Sequence, residues 1–193
     1  GNIEIANNTV INAGYNAISS TEINTSAIDK HAGRIYSNHI YCTRDFLCSK
    51  ESFFTNDGGG IYVCHRSYNT FEIYDNVVHD MPVGVGIYLD SNTSNTDVIN
   101  NLVFNCSIAI NTNFDDNFKM PDIPSLINLN ITDNIIGNRC SIHSNTTGNN
   151  CKFNNNYLLP TVVFAPRKEL VFPPLFRAPE IRMVFCLLHE IPG

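Results

Sequence analysis

A six-residue pattern that recurs along the chain constrains the fold more than any other feature. It consists of an apolar residue, two further residues, an asparagine, one more residue and a second apolar residue. The copies read "IANNTV", "IYSNHI", "IYDNVV", "VINNLV", "ITDNII" and "FNNNYL", and their asparagines are Asn8, Asn38, Asn76, Asn101, Asn134 and Asn156. The intervals of 22 to 38 residues between these asparagines are typical of one repeat in a stacked-repeat protein.

A second apolar patch follows five of these asparagines, by about ten residues in four repeats and by about twenty after Asn38, a spacing typical of successive short strands with loops of variable length. The patches read "NAISS", "GGIYV", "VGIYL", "IAINT" and "CSIHS". We therefore predict two short strands per repeat, joined by bends rich in Asn and Gly. Two such strands cannot bury an apolar face alone, so successive repeats must stack in register. The prediction is an all-β chain, a parallel β-helix over residues 1–159.

The repeated asparagine has a physical explanation in such a stack. A lone buried amide is costly, but amides stacked in register can bond one another from repeat to repeat. We therefore expect the six asparagines to form a hydrogen-bonded row. The alternative fold is an antiparallel sandwich, which is disfavoured because turn signals of the hairpin type are missing between adjacent strands.

Charge and composition exclude several functions. The formal net charge is −6 and only 16% of residues are charged, with no basic run. Nucleic acid is therefore not an expected partner, because phosphate binding needs clustered Lys and Arg. No segment reads as a signal peptide or a membrane span, and no zinc-ligand spacing, phosphate-binding loop or nucleophile elbow occurs. We expect neither a cofactor nor a bound metal, and a monomer.

The sequence writes Gly-x-Gly-Ile-Tyr-apolar twice, as "GGGIYV" (58–63) and "GVGIYL" (84–89). Aligning the repeats without gaps puts isoleucines in one column, namely Ile18, Ile61, Ile87 and Ile110. Because side chains alternate along a strand, Tyr62 and Tyr88 point away from the core if these isoleucines point into it. We expect the two rings to stack as an exposed platform for the apolar face of a sugar, above a groove left by the glycines. A bare aromatic ladder that stabilises the sheet is the alternative.

The N-x-apolar repeats together with "GIYLD" resemble the right-handed parallel β-helix proteins of the pectin-lyase-like superfamily. "NDGGGIYV", "EIYDNVVHD" and "GIYLDSNTSNTDVINNLVFN" are similar, more narrowly, to the β-helical glycoside hydrolases of the fucosidase and xylanase type. The resemblance implies a secreted or cell-surface protein that acts on polysaccharide or oligosaccharide. It nominates Asp57 and Asp90 as the pair of carboxyl groups that glycoside cleavage needs.

The aligned register conflicts with this pairing of acids. Asp57 aligns with Val83, seven positions before Asp90, which is over about 20 Å of extended chain. The two carboxyl groups meet only if the glycines after Asp57 fold the chain back. Other acids that the register brings near Asp90 are Glu22, Asp115 and Asp116. Asp57 and Asp90 are also residues that a tight turn would use.

Four further side chains are expected to border the site, namely His65, Arg66, Asn92 and Asn113. Two other functions stay open. A non-catalytic β-helix, such as a surface adhesin or a carbohydrate-binding module, needs no acid pair. A polysaccharide lyase needs a cationic base and acidic calcium ligands, for which the loop "NFDDNFKMPD" (113–122) is the candidate.

Composition changes at Pro160. Residues 160–193 contain no Asn and six of the nine prolines. A stacked-repeat protein needs its open apolar end covered, so we expect this segment to form a C-terminal cap or tail.

Overall fold

The fold is all-β and the strands are short. A computed structural model describes residues 3–21, 32–48, 57–64, 70–91, 93–113, 128–137, 142–144 and 151–159. Its strands are β1 Ile3–Ala6, β2 Thr9–Ile11, β3 Ile18–Thr21, β4 Gly33–Tyr36, β5 His39–Tyr41, β6 Gly59–Cys64, β7 Phe71–Tyr74, β8 Val77–Leu89, β9 Thr96–Ile99, β10 Leu102–Thr112, β11 Leu129–Thr132, β12 Ile135–Ile136, β13 Ile142–Ser144, β14 Cys151–Asn154 and β15 Tyr157–Leu158. The helix α1, Arg44–Cys48, has five residues. In this described part no helix is long and apolar enough to cross a membrane. The expected cap at 160–193 lies outside the described residues.

Every strand pairing is parallel, and the chain returns to the same two sheets in each repeat. The six-stranded sheet has the order β1-β4-β7-β9-β11-β14. The nine-stranded sheet has the path β15-β12-β10-β8-β5-β2, with β3, β6 and β13 pairing beside it. Parallel strands with crossover connections of this kind exclude the antiparallel sandwich, and the arrangement is compatible with a stacked coil.

The number of strand segments per repeat differs from the prediction of two. Each of the first two repeats contributes three strands, one to the six-stranded sheet and two to the nine-stranded sheet. In the next repeat the single strand β8 takes the place of the two strands in the nine-stranded sheet. Its first part pairs with β5 and its last part pairs with β6. We expected each asparagine motif to form one strand, whereas a corner in the backbone divides the motif into two strands.

A residue with left-handed backbone conformation forms that corner. It directly precedes the repeated asparagine, and φ lies between 52° and 58° in all six cases, Asn7, Ser37, Asp75, Asn100, Asp133 and Asn155. Short polar side chains tolerate this conformation better than branched or bulky ones do. This explains why only Asn, Asp or Ser occupies the position.

The six asparagines form the expected row, called here the asparagine ladder. The Oδ1 atom of Asn76 accepts from the backbone N–H and the side-chain Nδ2 of Asn38, at 3.1 and 2.9 Å. Its own Nδ2 donates to Asn101 Oδ1 at 2.9 Å and to the Ile35 carbonyl at 2.9 Å. The same pattern continues to Asn134 and Asn156. Asn76 and Asn134 are fully buried, and their amide groups are satisfied within the ladder and by backbone carbonyls.

The isoleucine column is confirmed. Ile18 pairs with Ile61, Ile61 with Ile87, and Ile87 with Ile110. The last three are fully buried, and all four belong to the hydrophobic core. Burying one such side chain contributes about 1.5–3 kcal/mol, so the repeated column is a main source of stability.

The glycines before the two Ile-Tyr pairs serve the core rather than an outer groove. A Cβ on Gly86 would lie 2.4 Å from Val103 Cγ1 and 2.7 Å from the Ala109 carbonyl oxygen. A Cβ on Gly60 would lie 2.6 Å from Val78 Cγ1. Both contacts are too close for any side chain, so the expectation that these glycines open a groove is wrong. They recur because the interior has no room for a Cβ.

Candidate functional site

The two Gly-Ile-Tyr segments lie side by side in β6 and β8, with Tyr62 opposite Tyr88. Their rings are not stacked. The centroids are 5.5 Å apart and the planes are perpendicular, with one ring's edge against the other, which is a favourable arrangement for aromatic pairs. Tyr88 is only 5% exposed. The prediction of a stacked, exposed platform is therefore wrong, because each ring covers part of the other.

Asp90 directly follows β8, and three groups donate to its carboxylate. Tyr62 Oη donates to Oδ2 at 2.7 Å. Asn113 Nδ2 and the Ser91 backbone N–H donate to Oδ1 at 2.8 and 2.7 Å. The side chain is 7% exposed. Asp90 also opens a turn, since its carbonyl accepts from the Thr93 N–H and hydroxyl, so the turn interpretation and the site interpretation describe the same residue.

Asn113 lies where the alignment of repeats predicts it. Its backbone N–H donates to the Leu89 carbonyl at 2.8 Å, which places Asn113 on the strand next to Asp90. Its side chain donates to Asp90 rather than facing an open groove. Asn113 therefore positions the carboxylate.

Asp57 lies in a turn just before β6 and is exposed. Tyr15 Oη donates to its Oδ2 atom across 3.4 Å. The Tyr15 ring packs on Gly58, where a Cβ would lie 2.9 Å from ring atom Cδ2. The sequence motifs did not indicate Tyr15 as a site residue. A signal for it exists, because the aligned register places Tyr15 opposite Gly58, and an aromatic ring opposite a glycine is a common cross-strand pair.

Both carboxylates act on the same three phenols. Burial raises the pKa of Tyr62, and the hydrogen bond to Asp90 and the charges of Asp90 and Asp57 raise it further. The pKa of Tyr88 is raised by burial and by the same two charges. The pKa of Tyr15 is raised by loss of water around its hydroxyl, by Asp57 and by Asp90. Asp57 and Asp90 therefore both lie within electrostatic reach of these hydroxyls, but the glycines after Asp57 do not fold the chain back, since Gly59 and Gly60 belong to β6.

These six residues are called here the tyrosine–aspartate cluster: Tyr15, Asp57, Tyr62, Tyr88, Asp90 and Asn113. Three of the other candidates, His65, Arg66 and Asn92, lie outside the described residues. So do the alternative acids Glu22, Asp115 and Asp116 and the rest of the loop considered for calcium. In the part of the chain that the structure describes, no group of three or more His, Cys, Asp or Glu side chains is arranged to hold a metal ion.

A second pair of acids lies on the outer face of the six-stranded sheet. Glu72 pairs in register with Asp97 of the next strand, and its carboxylate contacts Arg34 Nε at 3.0 Å. Burial and the nearby Glu72 charge raise the pKa of Asp97. The three side chains line a groove of about 480 Å³ together with Tyr74. The sequence contains the signal, because the residue four positions before each repeated asparagine belongs to this column.

Comparison of the chain with family models, with curated proteins and with solved structures found no match. The interpretation of the site therefore rests on its own geometry.

Proposed function

We propose that the chain is a right-handed parallel β-helix of the pectin-lyase-like type, with residues 160–193 as its cap. The parallel, in-register pairing of every strand supports this architecture. The unbroken asparagine ladder supports it too, because such a ladder requires the same corner of successive repeats to lie directly above one another.

We propose further that this β-helix is carbohydrate-active, and that it hydrolyses glycosidic bonds in polysaccharide outside the cell as a monomer. The observation that carries this is that tyrosine hydroxyls donate to both acids, Tyr62 to Asp90 and Tyr15 to Asp57. A glycosidase needs one carboxyl group that protonates the leaving oxygen and one carboxylate that acts as nucleophile or as base for water. Asp57 and Asp90 are the two groups proposed for these roles, and Asp90 is held by three donors.

The tyrosines then have a role that differs from stacking. The Tyr62 hydroxyl fixes the orientation of the Asp90 carboxylate, and the Tyr15 hydroxyl does the same for Asp57. The Tyr88 hydroxyl interacts with Asp90 and Asn113. His65, Arg66 and Asn92 remain proposed sugar contacts at the border of the site.

One observation favours a second candidate, a non-catalytic adhesin or carbohydrate-binding module. Asp90 is 7% exposed and its oxygens already accept three hydrogen bonds. A substrate can reach it only by displacing Tyr62 or Asn113. If neither moves, the acid serves the fold and any sugar binds elsewhere on the surface. No observation in the described residues favours the lyase.

A polysaccharide hydrolysis screen tests the proposal, with Asp90→Asn and Asp57→Asn as variants. Asp133→Asn is the matched control, because Asp133 is an exposed corner residue at a φ of 58°, which Asn tolerates well. We expect hydrolysis by the parent chain and the control, and loss of at least about 100-fold in each site variant, since acid–base catalysis typically contributes 10²–10⁴-fold.

The possible outcomes separate the two candidates. If the parent chain and all of the variants bind polysaccharide but none of them hydrolyses it, the protein is a binding module and the hydrolase proposal is overturned. Hydrolysis that Asp90→Asn leaves unchanged would remove the acid pair from the cluster. Absence of both binding and hydrolysis across the screen would overturn the carbohydrate assignment.

A further inference from the structure

Two histidine rings meet end to end between β5 and β8, away from the tyrosine–aspartate cluster. His39 Nε2 and His79 Nε2 are 2.8 Å apart. The ring centroids are 5.1 Å apart, which is the nitrogen separation plus two imidazole ring radii, so the nitrogens point directly at each other. Two nitrogens that bind one metal ion must instead point at a common third position. The contact is therefore a hydrogen bond.

The neighbours of the pair determine where the protons lie. Asp80 Oδ2 is 2.8 Å from His79 Nδ1, and Asn105 Nδ2 donates to the other carboxylate oxygen. Burial alone would raise the pKa of Asp80, but the hydrogen bonds from His79 and Asn105 outweigh it and lower the pKa. An ionised Asp80 requires a proton on His79 Nδ1. Neutral His79 then offers a bare Nε2, and His39 Nε2–H donates to it.

His79 has almost no freedom to move. Tyr41 stacks on one face with planes 1° apart, and Phe104 stacks on the other face with planes 5° apart. The residue is 3% exposed. His39 is only half-buried, so the relay from Asp80 through His79 reaches solvent at His39.

We propose that His39 and His79 form a pH-sensitive contact that holds one added proton but not two. With one added proton, one ring carries a proton on each nitrogen and donates through Nε2, while the other ring carries its single proton on Nδ1 and accepts, so the hydrogen bond survives. A second added proton must bind the accepting Nε2, which leaves two N–H groups and two positive charges facing each other. The contact between β5 and β8 then opens.

Among the groups packed around the two histidines, Asp80 is the one whose charge acts on the pair. Tyr41 and Cys42 belong to the β5 side, and burial raises the pKa of the Cys42 thiol to about 11, so it is neutral at physiological pH. Phe104 and Asn105 of β10 do not titrate, nor do Thr9 and Val77, the register neighbours of His39. The pH response of the contact therefore comes from protonation of the histidine pair.

The direction of the pH effect follows from His39. Burial and the positive charge of His79 lower the pKa of His39 in the folded chain. The unfolded chain binds that proton more readily, so the contribution to stability is complete above the unfolded pKa of about 6.5 and is lost as pH falls below it.

Urea unfolding of the full chain between pH 7.5 and 5.0 tests the proposal, with wild type compared to His39→Gln. The Gln amide can donate to His79 but does not titrate. By pH 5.0 we expect the unfolding equilibrium constant of wild type to rise more than that of the variant, by up to about 30-fold, because an additional proton binds the unfolded chain. Tyr41→Phe, which keeps the ring stack, is the control and should behave as wild type. Equal pH dependence in wild type and His39→Gln would overturn the proposal.

A second measurement uses wild type alone, so it does not depend on the folding of a variant. Nitrogen NMR of wild type labelled at histidine follows each ring through the same pH range. We expect one ring of the pair to take up a proton and the other to stay neutral until a lower pH. Two rings that titrate independently near pH 6.5 would contradict the shared proton.

Discussion

The asparagine ladder and the tyrosine–aspartate cluster both contain buried, hydrogen-bonded polar groups, but only the ladder repeats. Every internal asparagine makes the same contacts to the repeat before it and the repeat after it. Asp90 has no such counterpart, since Cys64 and Asn113 lie next to it across the strands. A polar group that recurs in register stabilises the stack, whereas a carboxylate that occurs once needs a separate explanation. That difference makes the cluster, rather than the ladder, the candidate site.

Breaking the ladder in its middle should have the largest effect. Asn76→Ala removes the acceptor shared by the Asn38 backbone N–H and Nδ2 and the donor to the Ile35 carbonyl, all inside the core. Each unsatisfied buried group costs about 1–3 kcal/mol, so we expect a loss of about 4 kcal/mol in the free energy of unfolding, measured by urea denaturation.

The matched control for this change is Asn8→Ala at the exposed end of the ladder, where Asn8 donates to Asn38 but is open to water. We expect a loss of about 1 kcal/mol there, the typical net value of one hydrogen bond. Equal losses at the two positions would show that the ladder is not a continuous buried row.

Filling a repeated glycine position should have an intermediate effect. In Gly86→Ala the added methyl group would overlap Val103 Cγ1 and the Ala109 carbonyl, and overpacking of this kind costs about 1–3 kcal/mol. Gly59→Ala is the control, because its Cβ meets no atom closer than 3.1 Å. A thermal melt of Gly86→Ala that matches wild type would indicate that Gly86 serves the surface and not the core.

Removing one donor from the cluster should have the smallest effect on stability. Tyr62→Phe deletes the 2.7 Å hydrogen bond to Asp90 and should lower the free energy of unfolding by about 1–2 kcal/mol. Tyr74→Phe keeps the stacked Tyr36–Tyr74 pair and should change stability by less than about 0.5 kcal/mol. If Tyr62→Phe and Tyr74→Phe lose the same stability in urea denaturation, the Tyr62 hydroxyl stabilises the fold no more than the Tyr74 hydroxyl does.

The parts of the fold that repeat were predictable from the sequence. The register of Ile18, Ile61, Ile87 and Ile110 is confirmed residue by residue, and so is the row of asparagines. Both follow from period alone, because a parallel stack places equivalent positions of successive repeats next to each other.

The corner inside each motif was missed because the Asn, Asp or Ser that forms it is also acceptable at a polar position of a half-buried strand. Ser37 and Asp75 adopt the same left-handed conformation as Asn7, but in the sequence they read as polar positions within one strand. The His39–His79 contact was missed for a related reason. The two rings belong to positions two residues out of register, so column alignment does not bring them together.

The sequence by itself determined which residues lie in the core and which strands are neighbours, since hydrophobic period and in-register stacking leave one consistent alignment. Only the tertiary structure decided how the side chains between those strands are oriented. Ring orientation, the hydrogen bonds of Asp90 and the approach of Tyr15 to Asp57 depend on where loops and corners direct the chain in three dimensions. A period along the chain specifies contacts between equivalent residues, but contacts between non-equivalent residues arise only once the repeats are packed.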